Sequence, residues 1–350
     1  MPGSRITFLD GQAGQPQALE RVITHVRQQL DGPDLARLRE ARRPLLAGIG
    51  ASYAALAVPV EVLRGHGVPA QRVLSSEIED GLHGFDTDLL IGVSQGGRSS
   101  ETIAAFKAAE GPATLAVLNV TPSPLGELAA FTVDLGNEPD SYASTVGFTA
   151  TVVALDLIAG AIAGRAGDPW ADIAERAATV RARAAEVVSC LRSRAALCVA
   201  ADCVASGASR VSAEEAALLL REVPRMPAAA SVTRNYLHGE MESAGNTLHL
   251  VFGDGREVEL ARSLSAAGHL TLLITTQDVD PADSLGVVRL PESAPSARVV
   301  LETVVVQELV AALSEEREVP IESFVFANDD TKEGGVDAAD FELASPVAAA

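Results

Sequence analysis

Residues 89–102, LLIGVSQGGRSSET, hold this chain to a narrow choice of folds. An apolar run of Leu89, Leu90, Ile91 and Val93 gives way to glycines and hydroxyls, and then to residues at helical spacing. A buried strand that feeds directly into a helix is the repeating unit of a parallel α/β sheet. The turn between them is suited to an anion. Glycines let the backbone come close, Ser and Thr hydroxyls donate hydrogen bonds, and a helix start supplies N–H groups with no partner inside the helix. Serine caps and glycine corners occur in any such turn, so one loop does not make a site. A second loop of the same plan lies upstream. Residues 44–53, PLLAGIGASY, run from a short apolar strand through Gly48 and Gly50 to Ser52 at the opening of a helical stretch. Two strand ends can then converge on one crevice, where open parallel sheets bind ligands. The loops match neither GxxxxGK[ST] nor a full GxGxxG fingerprint, so a nucleotide is not indicated.

The alternation extends along the chain. An amphipathic helix over 15–30 precedes strand-like runs at 45–49, 71–74, 89–94, 114–119 and 131–135, and a helix over 148–163 follows. Gly164, Gly167 and Pro169 mark a break. Helical spacing resumes over 170–191, then come runs at 195–200, 247–252, 270–275 and 286–290 and a helix over 296–313. The pattern predicts an α/β protein of two tandem, doubly wound parallel sheets with flanking helices. Its parts are a helical segment 1–40, a first domain 41–165, a second domain 166–320 and an acidic tail 321–350. In the second half the corresponding loop reads VFGDGREVE over 251–259. Asp254 and Glu257 would repel phosphate, which leaves one such site per chain.

Composition narrows the partners. The chain has 350 residues, 47% of them hydrophobic and 21% charged, enough for two α/β cores. A formal net charge of −20 repels polyanions, so nucleic acid is not an expected partner, while a small phosphate ester held by local amides and hydroxyls remains compatible. No apolar run approaches the roughly 20 residues of a bilayer span. The start, MPGSRITFLDGQ, lacks the basic flank and apolar core of a secretory signal. Cys190, Cys198 and Cys203 fit neither a disulfide framework nor a zinc site. The expectation is a cytoplasmic protein with no metal, no cofactor and no membrane association.

Three segments in order, GIGAS over 48–52, SQGGRS over 94–99 and ASTVGFT over 143–149, resemble the sugar isomerase (SIS) domain family, in particular the isomerase half of glucosamine-6-phosphate synthase. The resemblance covers most of the chain and implies two tandem SIS subdomains. It assigns phosphate binding to Ser52, Ser94, Gln95 and Ser99, and sugar contacts to Ala143 and Ser144.

Aldose–ketose interconversion needs a carboxylate near C1 and C2 and an acid that opens the ring. Glu222, in EEAALLLREVPR, has Ala216, Leu219 and Leu220 around it on a helix that ends before Pro224. By pattern it is either a desolvated base or an ordinary helix-end glutamate paired with a residue such as Arg225. His238, in NYLHGEMES, taken alone reads as a cap or packing residue. The resemblance implies more: the family's isomerase glutamate and ring-opening histidine are separated by the same sixteen residues, and the histidine precedes a glycine, as His238 precedes Gly239. It further implies that this histidine reaches the neighbouring subunit's site, hence an obligate homodimer. Glu214 and Glu215 are expected on the solvated face of the same helix. His25, His66, His83, His249 and His269 are expected in surface or packing roles.

The chain departs from the family at several positions. Gly96 stands for a loop serine, and Arg98 for an acidic residue, where it either holds phosphate or covers the loop. Leu219 replaces a lysine one turn before the glutamate. The family's C-terminal lysine matches Lys332 in ANDDTKEGG, within a tail whose Asp329, Asp330, Glu333, Asp337, Asp340 and Glu342 otherwise read as a solvated end. The start Met1-Pro2-Gly3 carries no N-terminal cysteine, so no glutaminase activity is expected from this chain. Three functions follow: an amino-sugar-phosphate isomerase that also makes or breaks the C–N bond, of the glucosamine-6-phosphate deaminase type; a deglycase that cleaves a phosphorylated fructose–amine adduct; and a non-catalytic sugar-phosphate sensor. Retention of Glu222 and His238 favours an enzyme.

Overall fold

The computed structural model describes residues 5–326 and 328–336, so Asp337, Asp340 and Glu342 of the tail lie outside the described residues. The chain divides into two units, Met1–Gly167 with Glu322–Ala350, and Asp168–Ile321. The first therefore includes the N-terminal helical segment and the described tail.

The sheet of the first unit is wholly parallel, in the order β2-β1-β3-β4-β5: β1 (Pro44–Gly48), β2 (Gln71–Leu74), β3 (Leu89–Val93), β4 (Ala113–Leu118) and β5 (Phe131–Asp134). Every residue of β1 and β3 is buried, as unbroken apolar runs require of central strands covered on both faces. Helices α1 (Phe8–Leu30), α2 (Ala51–Ala55), α3 (Ala57–Gly65), α4 (Ser100–Ala108), α5 (Pro124–Leu128) and α6 (Val146–Ala163) surround it. Thr7 caps α1, its hydroxyl oxygen accepting from the Asp10 N–H at 3.0 Å. The apolar stripe of α1, with Leu19, Val22 and Val26, packs on α6. Helix α6 is apolar around nearly its whole circumference, with a mean hydropathy of 2.0 over 18 residues, and 83% of it is buried. It passes a length and composition test for a membrane span, but the burial makes it the core helix of this unit. Gly164, at φ +64°, ends it in a left-handed cap.

The second unit repeats the plan. Its parallel sheet runs β7-β6-β8-β9-β10, formed by β6 (Ala200–Ala205), β7 (Ala228–Val232), β8 (Thr247–Phe252), β9 (Thr271–Thr275) and β10 (Leu285–Arg289). Its helices are α7 (Ile173–Ala196), α8 (Arg210–Glu222), α9 (Thr233–Tyr236), α10 (Arg256–Ala266) and α11 (Pro295–Glu316). Helix α7 lies along α11, where Arg181 pairs with Glu308 and Arg192 with Glu315 and Glu316.

The second half departs from the sequence expectation at its start. Helix α7 runs on to Ala196, so the expected strand at 195–200 is displaced: strand begins at Ala200, where pairing with Thr247 starts. The run from 195 to 205 is apolar almost throughout, and only the strand partner fixes where helix gives way to sheet. Glu215 is also not on the solvated face. It is 1% exposed, four residues from both Val211 and Leu219, and so shares their buried stripe.

Candidate functional site

Loops after β1 and β3 stand side by side because those strands are neighbours. After β1, Gly50 adopts φ +58° and leads into α2, which carries Ser52. After β3 comes the serine loop, and its shape is fixed from below. The Gln95 carbonyl accepts from the Asn119 and Val120 N–H groups at 2.8 and 3.0 Å, and the Gly97 carbonyl accepts from Leu125 N–H at 3.0 Å. Gly97 has φ +63°, and a Cβ there would lie 2.1 Å from the Ser123 hydroxyl, so no other residue fits. Ser94 Oγ accepts from the Ser99 N–H at 3.3 Å, and Ser99 precedes α4 as its N-cap residue. Ser99 Oγ donates to Glu101 at 3.3 Å, a long bond that a phosphate oxygen can replace. Gly96 has open space where a Cβ would stand.

One residue that the sequence reading did not single out joins the serine loop to the Ala143–Ser144 segment. Asp140 is 3% exposed. Its Oδ2 accepts from Gln95 Nε2 at 2.5 Å and from Ser144 Oγ at 2.7 Å, while Oδ1 accepts from the Thr145 N–H and hydroxyl at 2.9 and 3.1 Å. Ser144 Oγ in turn accepts from Phe148 N–H at 2.8 Å, so it anchors the first turn of α6. Gly147 makes room for this cluster: a Cβ there would meet Gln95 at 2.3 Å and Asp140 at 2.4 Å. Asp140 thus acts as a positioning residue for Gln95 and Ser144. Its partners lie 45 and 4 residues away, a spacing with no local signature.

The described tail folds back on the same loop. Ser99 and Lys332 form an antiparallel bridge. Arg98 Nε donates to the Glu333 carbonyl at 3.2 Å and Nη2 to the Gly335 carbonyl at 2.6 Å, and the Glu333 N–H returns a bond to the Arg98 carbonyl at 2.8 Å. Of the two roles open to Arg98 in the sequence, these bonds are those of covering the loop. Lys332 Nζ stands 5.7 Å from the centre of the Tyr142 ring, which also packs on Phe324 at 3.8 Å and lies under Arg5 at 4.9 Å. Tyr142 precedes the Ala143–Ser144 pair.

Glu222 and His238 lie in the second unit. Glu222 is the last residue of α8 and half-buried, and burial pushes its carboxyl up to about 7. The negative end of the helix dipole acts in the same direction. A carboxyl poised there can both take and return a proton at neutral pH. His238 is exposed, on a segment moored by the buried side chains of Thr233 and Tyr236. Tyr236 donates its one hydroxyl proton to Asp202 Oδ2 at 2.9 Å, so at 3.2 Å it accepts from the Nδ1–H of His249. Burial, with His269 close by, lowers His249 to about 4, and its buried Nε2 has no hydrogen-bond partner among the described residues. Both facts fit a neutral ring that carries its proton on Nδ1. His249 therefore serves the mooring of the His238 segment.

The switch point of the second sheet carries a loop of similar backbone and different chemistry. Residues 206–209 follow β6 as residues 49–52 follow β1, and Gly207 has φ +58°, the value at Gly50. Here carboxylates occupy the hydroxyls. Ser206 donates to Glu257 at 2.8 Å, and Ser209 and Ser212 donate to Glu302 at 2.8 and 2.6 Å. Burial alone would raise the Asp254 carboxyl, but hydrogen bonds from Arg298, Thr275 and Thr276 hold it well below the usual carboxylate range. Among the described residues no group of three His, Cys, Asp or Glu side chains is placed to hold a metal ion.

Comparison with known proteins agrees with this architecture. The SIS domain model matches residues 37–161, which contain both loops and the Asp140 cluster. This segment is an SIS domain. Among solved structures, the C-terminal domain of glucosamine-fructose-6-phosphate aminotransferase from Francisella tularensis superposes with a TM-score of 0.78 at 18% identity, covering 89% of this chain and 96% of that one. Tagatose-6-phosphate ketose/aldose isomerase from Escherichia coli gives 0.72 at 18% identity over 88% and 92% of the two chains. Glucosamine-6-phosphate deaminase from Thermotoga maritima gives 0.68 at 16% over 87% and 94%. No curated protein sequence matches the chain. At these identities the chain shares with its neighbours a fold of two parallel-sheet units.

Proposed function

We propose that this protein is a phosphosugar isomerase that acts on an amino sugar phosphate, interconverting a glucosamine-6-phosphate-type aldose and a ketose phosphate with release or uptake of the amine. The observation that carries the reading is Glu222, a half-buried carboxyl held near 7, in a chain that also has a shaped serine loop. Ser52, Ser94, Gln95 and Ser99 bind the phosphate, and Ala143 and Ser144 contact the sugar. His238 donates the proton that opens the ring. Glu222 takes the proton from one of C1 and C2 and returns it to the other, and Lys332 supplies positive charge to the enediol oxygens. In this reading the protein is a cytoplasmic homodimer, and His238 serves the neighbouring subunit's site. The exposure of that histidine on a moored segment supports such a reach.

A deglycase acting on a phosphorylated fructose–amine adduct uses the same glutamate. Tyr142, with Phe324, Arg5 and Lys332 around it, supports this second reading, because it places an aromatic face and two cations beside Ala143 and Ser144. To test both, purified protein is incubated with glucosamine 6-phosphate, with fructose 6-phosphate plus ammonium, and with a phosphorylated fructose–lysine adduct, and sugar and amine are followed by NMR. Turnover of one of these that disappears in Glu222→Gln supports an enzyme. Saturable binding of all three with no turnover would overturn it in favour of a sensor.

A further inference from the structure

The second unit contains a cleft of about 400 Å3 at the C-terminal ends of β9 and β10, against the N-terminal half of α7. That volume suits a small metabolite. Three arginines line it, Arg176, Arg183 and Arg289, in a chain whose acidic residues outnumber its basic ones 47 to 27. Arg176 and Arg183 recur on one face of α7, seven residues apart, and Arg289 closes β10. Each is held in place by part of its fork. Arg176 Nη2 bonds the Glu292 carbonyl at 3.3 Å and Ser293 Oγ, Arg183 Nη1 bonds the Arg289 carbonyl, and Arg289 Nη1 makes an exposed pair with Asp278 at 3.2 Å. A guanidinium has five N–H donors, so anchoring through one nitrogen orients the rest without using them up.

The other walls narrow the ligand. Leu290 and Pro291 offer an apolar floor, and Thr179 adds a hydroxyl on the same side of α7. Glu175 and Glu292 place carboxylates at the cleft, which disfavour a bare anion but accept hydrogen bonds from hydroxyl groups. We propose that this cleft binds a second sugar phosphate, its phosphomonoester held by Arg176, Arg183 and Arg289 and its hydroxyls by Glu175 and Glu292. It shares no residue with the serine loop, so it is an effector site and not a part of the proposed reaction centre.

The test uses the full chain carrying Ser94→Ala and Ser99→Ala, which removes the serine-loop hydroxyls, titrated calorimetrically with glucose 6-phosphate. The expected result is one remaining site, weakened at least about tenfold by adding Arg183→Gln and Arg289→Gln. Thr179→Glu changes only an exposed helix position and puts a carboxylate at the cleft, so it should weaken binding to a similar degree with thermal unfolding unchanged. Absence of binding in the serine-loop background, indifference to both the arginine and the Thr179 changes, or equal affinity for inorganic phosphate would overturn the assignment. Equal stoichiometry in wild type and the serine-loop variant would count instead against the serine loop as the phosphate site, and leaves the effector cleft tested by the arginine variants.

Discussion

Burial is decisive at Glu222, because it turns an ordinary carboxyl into one that changes charge at neutral pH. As the proposed proton-abstracting base it has to be ionised in the free protein to act, so kcat/KM should rise with pH through about 7. Glu222→Gln should cost at least about a thousandfold in turnover while leaving sugar phosphate binding in place. The same group makes a separable stability prediction. Its folded-state value lies above the unfolded one, so the folded chain binds the proton more tightly, and stability falls as pH rises from about 4.5 to 7. Glu222→Gln removes that loss, on the order of 2 to 3 kcal/mol at most, and denaturant unfolding at pH 5 and pH 8 measures it. At Gly96 the prediction runs the other way. The open space there accepts a serine side chain, so Gly96→Ser should add a hydroxyl to the loop and tighten sugar phosphate binding about fivefold to tenfold by calorimetry. Gly96 was legible as a missing hydroxyl because it falls inside a contiguous motif. Asp140 was not, since what makes it central is a set of bonds to Gln95, Ser144 and Thr145 that only the folded chain assembles.

Elements, not residues, position the proposed chemistry, and two of them can be loosened one bond at a time. The tail segment is latched by Arg98, whose guanidinium bonds two carbonyls. Arg98→Ala should speed amide exchange over residues 328–336 while leaving the sheet of the first unit protected. The α9 segment is moored by the Tyr236 hydroxyl. Tyr236→Phe leaves Asp202 and the His249 Nδ1–H without their shared partner, at a cost of about 1 to 3 kcal/mol in thermal or denaturant unfolding. It should also raise exchange over residues 233–243 and lower turnover through His238, whereas a merely structural tyrosine would alter stability alone. The sequence made most elements readable for a simple reason. Central strands of a parallel sheet are buried on both faces, so β1, β3 and β8 appear as short apolar runs bounded by turns. Strand β7 is not readable from sequence because AAASV has a single β-branched residue, Val232, and no alternation, and it is a half-exposed edge that owes its state to pairing with β6. The tail was readable only as a charge run, because its contacts with Arg98 and Ser99 join positions more than two hundred residues apart.

At the scale of the whole molecule, the two units carry sheets of one topology and different loop chemistry. In the first, the serine loop's own hydroxyls meet one carboxylate among the described residues, that of Glu101. In the second, the loop that corresponds to residues 49–52 has its hydroxyls bound by Glu257 and Glu302, the latter paired with Arg298, so those hydroxyls are already spent. One phosphosugar site per chain is then the economical reading, and a dimer with shared sites follows if His238 crosses between subunits. That crossing has a clean test in mixed dimers. Glu222→Gln and His238→Ala are each expected to be inactive as homodimers. In a heterodimer of the two, one site takes the mutated position from both chains and is dead, while the other pairs an intact Glu222 with an intact His238 from the opposite subunit. Random reassortment places half of the chains in heterodimers with one of two sites live, so activity should recover to about a quarter of wild type. If His238 acted within its own chain, no site in any dimer would hold both residues. Mixing and subunit exchange would then restore nothing, whatever the heterodimer fraction measured by native mass spectrometry.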